Sequence, residues 1–331
     1  MARALLRRGH DVTLVAYGVG RGEPEPGLRL ATVPVPGDYD RMRSGPDWVK
    51  PRLDLSMARV LSRLDADVVH AHHYEALAAA LLARRLPGGR RWPVVYNNHT
   101  LLQEELPGYF TRGKRVFAAA GALSDASFPR QADAVVAITA AAGERLRARG
   151  CPDVTVVPPG VHAEEFRGLV PRRAHDEPTV VYAGNGDHYQ GLPLLFAAME
   201  RLPGWRLLVV TGDDAWSPPG ATVVHARDWT ATRDWIAGAD VAALPRQLPG
   251  GYPLKLLNYL ACGVPTVLLR PLSQGLAGEV LVARADPEDF ARGIAAAHRA
   301  PRDRGLAAAT VRAQAWDRRA QEIEGVYRRL R

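Results

Sequence analysis

Short β-branched runs alternate with longer Ala/Leu/Arg-rich stretches along the whole chain, and this alternation restricts the fold more than any other feature. One series of runs lies at residues 12–16, 68–71, 94–97, 134–138 and 154–157. A second lies at residues 179–183, 207–211, 222–225, 241–244 and 266–269. Between them, stretches such as residues 75–85, 140–149, 192–202 and 253–260 carry apolar residues at helical spacing. Near-continuous apolar strands separated by helices predict parallel sheets covered on both faces. Residues 167–178 are polar, Pro-bearing and aperiodic, which marks a domain boundary. The expected architecture is α/β, with two doubly wound Rossmann-like domains at residues 1–167 and 168–312 and a final amphipathic helix at 313–331. The cleft between two such domains is the default ligand site.

The opening of the first domain departs from the usual order. Residues 2–8 read as the helix that follows a first strand, and RRGHDVTLVA supplies what would be the second. The first strand and its glycine-rich turn are therefore missing from the expected sheet.

Composition narrows the function classes. A chain of 331 residues with 47% hydrophobic and 24% charged residues fits a soluble globular enzyme and not a disordered segment. No apolar run approaches the roughly 20 residues that span a bilayer. MARALLRRGHD has no apolar signal-peptide core, which predicts a cytoplasmic protein. Cys151 and Cys262 match no metal or disulfide spacing. The formal charge of +8 calls for anionic partners, but the basic residues are scattered and form no nucleic-acid module. Phosphate groups, or peripheral contact with an anionic membrane face, fit such a surface better. Only Lys50, Lys114 and Lys255 among the 43 basic residues are lysines. A lysine here therefore hints at a need for a compact cation.

Two segments carry the chemistry. PLKLLNYLACGVPTV, residues 253–267, reads as loop, helix, glycine stop and strand. Gly250 and Gly251 allow close backbone approach to a ligand, and Tyr252, Pro253 and Leu254 lead into the helix. The free N–H groups and dipole of the helix start suit a diphosphate, with Lys255 adding charge. A lysine at such a position is expected to cover little core. YAGNGDHYQGLPLLFAAM, residues 182–199, reads as strand, glycine turn at Gly184, loop and helix.

From RGHDVTLVA through DADVVHAHH, ADAVVAIT and VVPPGVHAEEF to YLACGVPTV, nearly the whole chain resembles glycosyltransferase family 4, with the GT-B fold. The resemblance implies transfer of a sugar from a nucleotide-sugar to a glycan, lipid-linked or other small acceptor, with retention of configuration. It implies no bound metal and no cofactor beyond the donor itself. It gives the first domain the acceptor and the second the donor, and brings the last helix back onto the first domain. His99, just after a strand, is implied beside the transferred sugar, and Lys255 at the diphosphate. The chain departs from the pattern at four positions. Family members usually carry Glu where Gly250 and Asn258 stand, and commonly Arg and Lys where Asn185 and Gln190 stand. The two amides can still donate hydrogen bonds to phosphate oxygens, without charge. These departures keep open an alternative, a catalytically impaired GT-B module that binds a nucleotide-sugar or a partner enzyme.

The remaining polar clusters carry blander expectations. Neighbouring side chains on a strand face opposite ways, so His70, His72 and His73 are not expected to hold a metal ion. His72 or His73 lines the acceptor side instead. Asp65 and Asp67 precede a strand and form a turn, and Glu104 and Glu105 are expected as a solvated charge pair.

Overall fold

The computed structural model describes every residue except 20–23, 38, 40–46, 90, 248–250, 301–302, 304 and 331. The chain divides into two compact units. Met1–Pro159, Gly250–Tyr252 and Asp317–Arg331 form the first; Gly160–Pro249 and Pro253–Trp316 form the second.

In the first unit, β1 (Thr13–Tyr17) and β2 (Arg29–Val33) pair in parallel as a two-stranded sheet. A separate parallel sheet runs in the order β3 (Val69–His72), β4 (Val94–Asn98), β5 (Ala134–Ala137) and β6 (Val154–Val156). Among the described residues, β1 pairs only with β2, and β3 only with β4. Residues of both β1 and β3 line one cavity of about 2160 Å³ in this unit. A doubly wound sheet would place one more strand between two such edges.

The core explains why these runs are mostly apolar. All of β4 and β5 is buried. Their residues alternate between two clusters, Val94, Tyr96, Val135 and Ala137 on one face and Val95, Ala134 and Val136 on the other. The helix Trp316–Arg328 lays Ile323 and Val326 against the second cluster. Its buried Glu324 accepts from Arg8 at 2.6 Å and pairs with His10 at 3.0 Å.

The second unit is one parallel sheet of six strands: β7 (Thr179–Ala183), β8 (Arg206–Thr211), β9 (Thr222–His225), β10 (Val241–Leu244), β11 (Thr266–Leu269) and β12 (Glu279–Val282). Their spatial order is β12-β11-β10-β7-β8-β9. Helices Leu192–Met199 and Pro287–Arg299 cover one face, packing with Val180, Val209 and Val267. Leu256, Leu260 and Leu306 meet Leu244 and Leu268 on the other. Asp228 and Asp286 cap the starts of two helices through backbone N–H bonds, a device worth about 1 kcal/mol each.

Strands β2 and β12 escape the sequence pattern. Each lies at the end of its sheet and is partly solvated, so RLATV and EVLV carry polar residues where central strands carry valine. The edge position of β1 also has a measurable consequence. Its backbone amides should exchange with deuterium at least about tenfold faster than those of β8, which lies between two neighbours. Equal protection in the two strands would show that β1 has a second partner.

Candidate active site

The second sheet has the doubly wound order, and its strand order reverses between β7 and β10. Ligands of open parallel sheets bind at the carboxyl ends of the strands at such a switch point. Here β7 ends at Ala183 and runs into Gly184, and β10 ends at Leu244 and runs into Pro245 and Arg246. Gly191, at φ +72, packs so closely on the Pro245 carbonyl that a side chain would collide with it. The two loops are thus drawn together by a residue that lacks Cβ.

Lys255, the second residue of the helix Leu254–Ala261, points into this junction. Its Nζ donates to the Tyr182 hydroxyl at 2.6 Å and to Gln190 Oε1 at 3.0 Å, and lies 4.2 Å from the centre of the Tyr182 ring. The Tyr182 hydroxyl in turn donates to the Asn185 carbonyl at 2.8 Å. Gln190 Nε2 donates to Asn185 Oδ1 at 3.2 Å, and Asn185 Nδ2 to Asp187 at 2.6 Å. Gly184 has φ +144, and a Cβ there would fall on Lys255 Nζ. Burial, and then the Arg246 charge, lower the Lys255 pKa to about 7, with Asp187 acting in the opposite sense. Burial also lowers the Arg246 pKa from its ordinary value, and its Nε is buried without a hydrogen-bond partner. Two buried cations, one of them weakened by the other, leave a place for an anion.

Four of the residues singled out from sequence, Gly184, Asn185, Gln190 and Lys255, therefore meet. Pro253 precedes the helix, Leu254 is exposed, and Asn258 lies one turn further on and half-buried. Gly251 and Tyr252 cluster with the first unit, where Gly251 (φ +70) packs against Thr100 and the His99 carbonyl. Gly250 lies outside the described residues. Two expectations change. Lys255 was expected to cover little core, but the niche over Gly184 takes its amine in. Gln190 does not present a free amide, because it is 5% exposed and both its ends are engaged. Tyr182 and Arg246 escaped the sequence reading; the only signal was their position at the ends of two strands.

In the first unit the strand ends gather a second set. Tyr17 ends β1, His72 ends β3, His73 opens the helix His73–Ala83, and His99 follows β4. His72 Nδ1 lies 3.0 Å from His99 Nε2 and accepts from Asn97 at 3.3 Å, while the His70 ring stacks on His72. Burial, then the adjacent imidazoles, lower His72 to about 3 and His99 to about 4, so both are neutral at pH 7. His73 behaves oppositely. A 3.0 Å bond to Glu75 raises its pKa, and the same bond holds Glu75 at about 2. Lys50 Nζ lies 3.4 Å from Glu75. His73 has φ +72, a strained conformation for a side-chain-bearing residue and one that recurs at functional sites. Glu104 and Glu105 are not a solvated pair. Glu104 pairs with Arg145, whereas Glu105 accepts from Thr100 and, at 2.6 Å, from Tyr109, and lies 3.8 Å from His73. Asp54 accepts from Tyr17. No group of three or more potential ligands is arranged to hold a metal ion among the described residues.

Two Rossmann-like units, each with polar side chains gathered at its strand ends, are the architecture of the GT-B sugar transferases. Residues 1–165 match the Glycosyltransferase Family 4 model, and residues 177–299 match Glycosyl transferases group 1. The chain belongs to glycosyltransferase family 4 and is a glycosyltransferase. It is 27% identical to the D-inositol 3-phosphate glycosyltransferase of Xylanimonas cellulosilytica, over 99% of this chain and 89% of that one. Among solved structures it is similar to sucrose-phosphate synthase from Thermosynechococcus elongatus, with a TM-score of 0.80, 18% identity, and coverage of 99% and 91%. It is also similar to the HepE protein of Anabaena in complex with UDP-glucose, with a TM-score of 0.61, 14% identity, and coverage of 92% and 85%. At those identities the structural likenesses show the fold.

Two outcomes follow from the Lys255 niche. Gly184→Ala should expel the amine and cost about 1–3 kcal/mol, because it adds a clash and a backbone strain together. A melting temperature within a degree of wild type would mean that the niche is not needed. The second outcome concerns pH. Lys255 loses its proton near pH 7 when folded, against an ordinary value of 10.5. Between those values the unfolded chain binds the extra proton, so this residue makes the fold more stable as pH rises. Lys255→Met should flatten that rise relative to wild type in thermal melts from pH 7 to 10. Parallel curves would mean an amine that titrates normally.

Proposed function

We propose that this glycosyltransferase takes a sugar from a nucleotide-sugar whose diphosphate binds at Lys255 and passes it, with retention of configuration, to a hydroxyl-bearing acceptor held at the strand ends of the first unit. The observation that carries the donor reading is the buried pair Lys255 and Arg246 at the switch point, where burial and then the Arg246 charge lower the pKa of the amine, a cost that an anion would relieve. The UDP-glucose complex of the HepE protein supports a donor of this class. The helix start at Leu254 adds its dipole to the same place.

The chemistry asked of these residues is electrostatic. As the bond from the anomeric carbon to the diphosphate breaks, negative charge grows on the leaving oxygen. Lys255 neutralises it, in a setting where burial strengthens the interaction. Binding of the anion raises the amine's pKa, so donor binding takes up a proton above about pH 7. His99 is neutral and suited to hydrogen-bond a sugar hydroxyl, not to carry charge. In this scheme Lys255 and His99 are the catalytic residues and no metal takes part.

Lys255→Ala should reduce transfer, or hydrolysis of the donor, by about a hundredfold, the order expected when one electrostatic stabiliser is removed. The melting temperature should also fall, since Tyr182 and Gln190 lose their donor. Lys255→Arg should recover little activity, because a planar fork does not fit the niche over Gly184. Both variants are measured for turnover and melting with a panel of nucleotide-sugars. Near-normal turnover in the Ala variant would return Lys255 to a structural role.

A further inference from the structure

The acceptor end of the first unit has a charge pattern that narrows what it can take. The chain as a whole carries a formal charge of +8, yet the described residues lining its cavity reverse that sign. They include eight aspartates and glutamates against four arginines and lysines. At the strand ends the pattern sharpens. Lys50 and His73 are each held by Glu75, and His73 also faces Glu105. Asp54 and Glu105 take hydrogen bonds from Tyr17 and Tyr109. The remaining imidazoles, His72 and His99, are paired with each other and uncharged at neutral pH.

An anionic group entering here meets carboxylates first. Among the described residues at the strand ends, it would gain a cation by taking Lys50 or His73 from Glu75, leaving that carboxylate half-buried without its partner, a strongly unfavourable exchange. A hydroxyl or an ammonium meets no such obstacle. Carboxylate oxygens accept from both, and neutral imidazoles donate to or accept from a hydroxyl. The curated relative from Xylanimonas is named for a phosphorylated acceptor, inositol 3-phosphate. The polar groups here suit the opposite charge.

We propose that the acceptor of this enzyme is a polyhydroxylated compound that bears no phosphate or other anionic group, and that Glu75 and Glu105 exclude phosphorylated acceptors. The inference rests on the reading that the first unit holds the acceptor. Its geometric basis is the convergence of Tyr17, His72 and His73 on one cavity at their strand ends, with His99 beside His72 and with Glu75 and Glu105 on either side of His73.

The test measures binding of myo-inositol, myo-inositol 1-phosphate and glucosamine to the full chain by calorimetry, at pH 7.5 and low salt. Uridine diphosphate binding and donor hydrolysis are recorded on the same samples. The neutral polyol or the amino sugar should bind at least about tenfold more tightly than the phosphate ester. Glu75→Gln combined with Glu105→Gln should narrow that gap about tenfold, by strengthening the ester, which a mere folding defect cannot do. A phosphate ester that binds wild type as well as the polyol does, or a panel in which none of the three binds, overturns the proposal. Loss of diphosphate binding and donor hydrolysis would instead strike the donor reading and leave the acceptor comparison standing.

Discussion

A half-buried lysine amine is the element on which the donor end of this protein depends. Taking an ammonium out of water is costly, and the charge survives only where dipoles replace the lost hydration. Around Lys255 those dipoles are the Tyr182 hydroxyl, the Tyr182 ring face and the Gln190 carbonyl oxygen. Each is fixed by something further out: the Asn185 carbonyl orients the hydroxyl, and the Asn185 side chain orients the Gln190 amide. The whole arrangement exists because Gly184 has no side chain to occupy the same space. Its compensation is incomplete, which leaves the amine easy to discharge and ready for an anion.

The first unit treats charge in the reverse way. Its buried imidazoles are discharged by burial and then by their neighbours, and Lys50 and His73 at its strand ends are held by Glu75. Both ends use the same scaffold feature, the carboxyl termini of parallel strands, where helix starts and loop backbones gather. The fold supplies the place, and the side chains decide the sign of what is welcome there. A net charge summed over the chain conceals this division, because basic residues spread over the surface outweigh the acidic lining of one cavity.

The fold was legible where burial on both faces left strands mostly apolar. Runs such as TVVYA and VAAL are β7 and β10 as observed. Edge strands β2 and β12 were not legible, because solvent on one side permits polar residues that hide the pattern. Lys255 could be singled out because lysine is scarce in this chain and stands at a helix start. Its burial could not, since that follows from Gly184 and Tyr182, which lie some seventy residues earlier and adjoin it through sheet order. Glu105 misled for the same reason. Its neighbour Glu104 pairs with Arg145, whereas Glu105 turns toward His73 across a distance that no local spacing encodes.

The amides at Asn185 and Gln190 follow from the niche itself. Where the family resemblance leads one to expect Arg and Lys, this chain has an acceptor oxygen at 3.0 Å from Lys255 and a second amide that holds it in place. A cation at position 190 would remove one of the two acceptors of Lys255, leaving the Tyr182 hydroxyl, and would set two positive charges at hydrogen-bond distance in a half-buried site. One of them would have to discharge or leave. A buried lysine and a neutral glutamine thus imply each other. The loss of charge at these positions is the condition under which a single amine can sit over Gly184, and Arg246, on the loop after β10, is the second cation the arrangement retains.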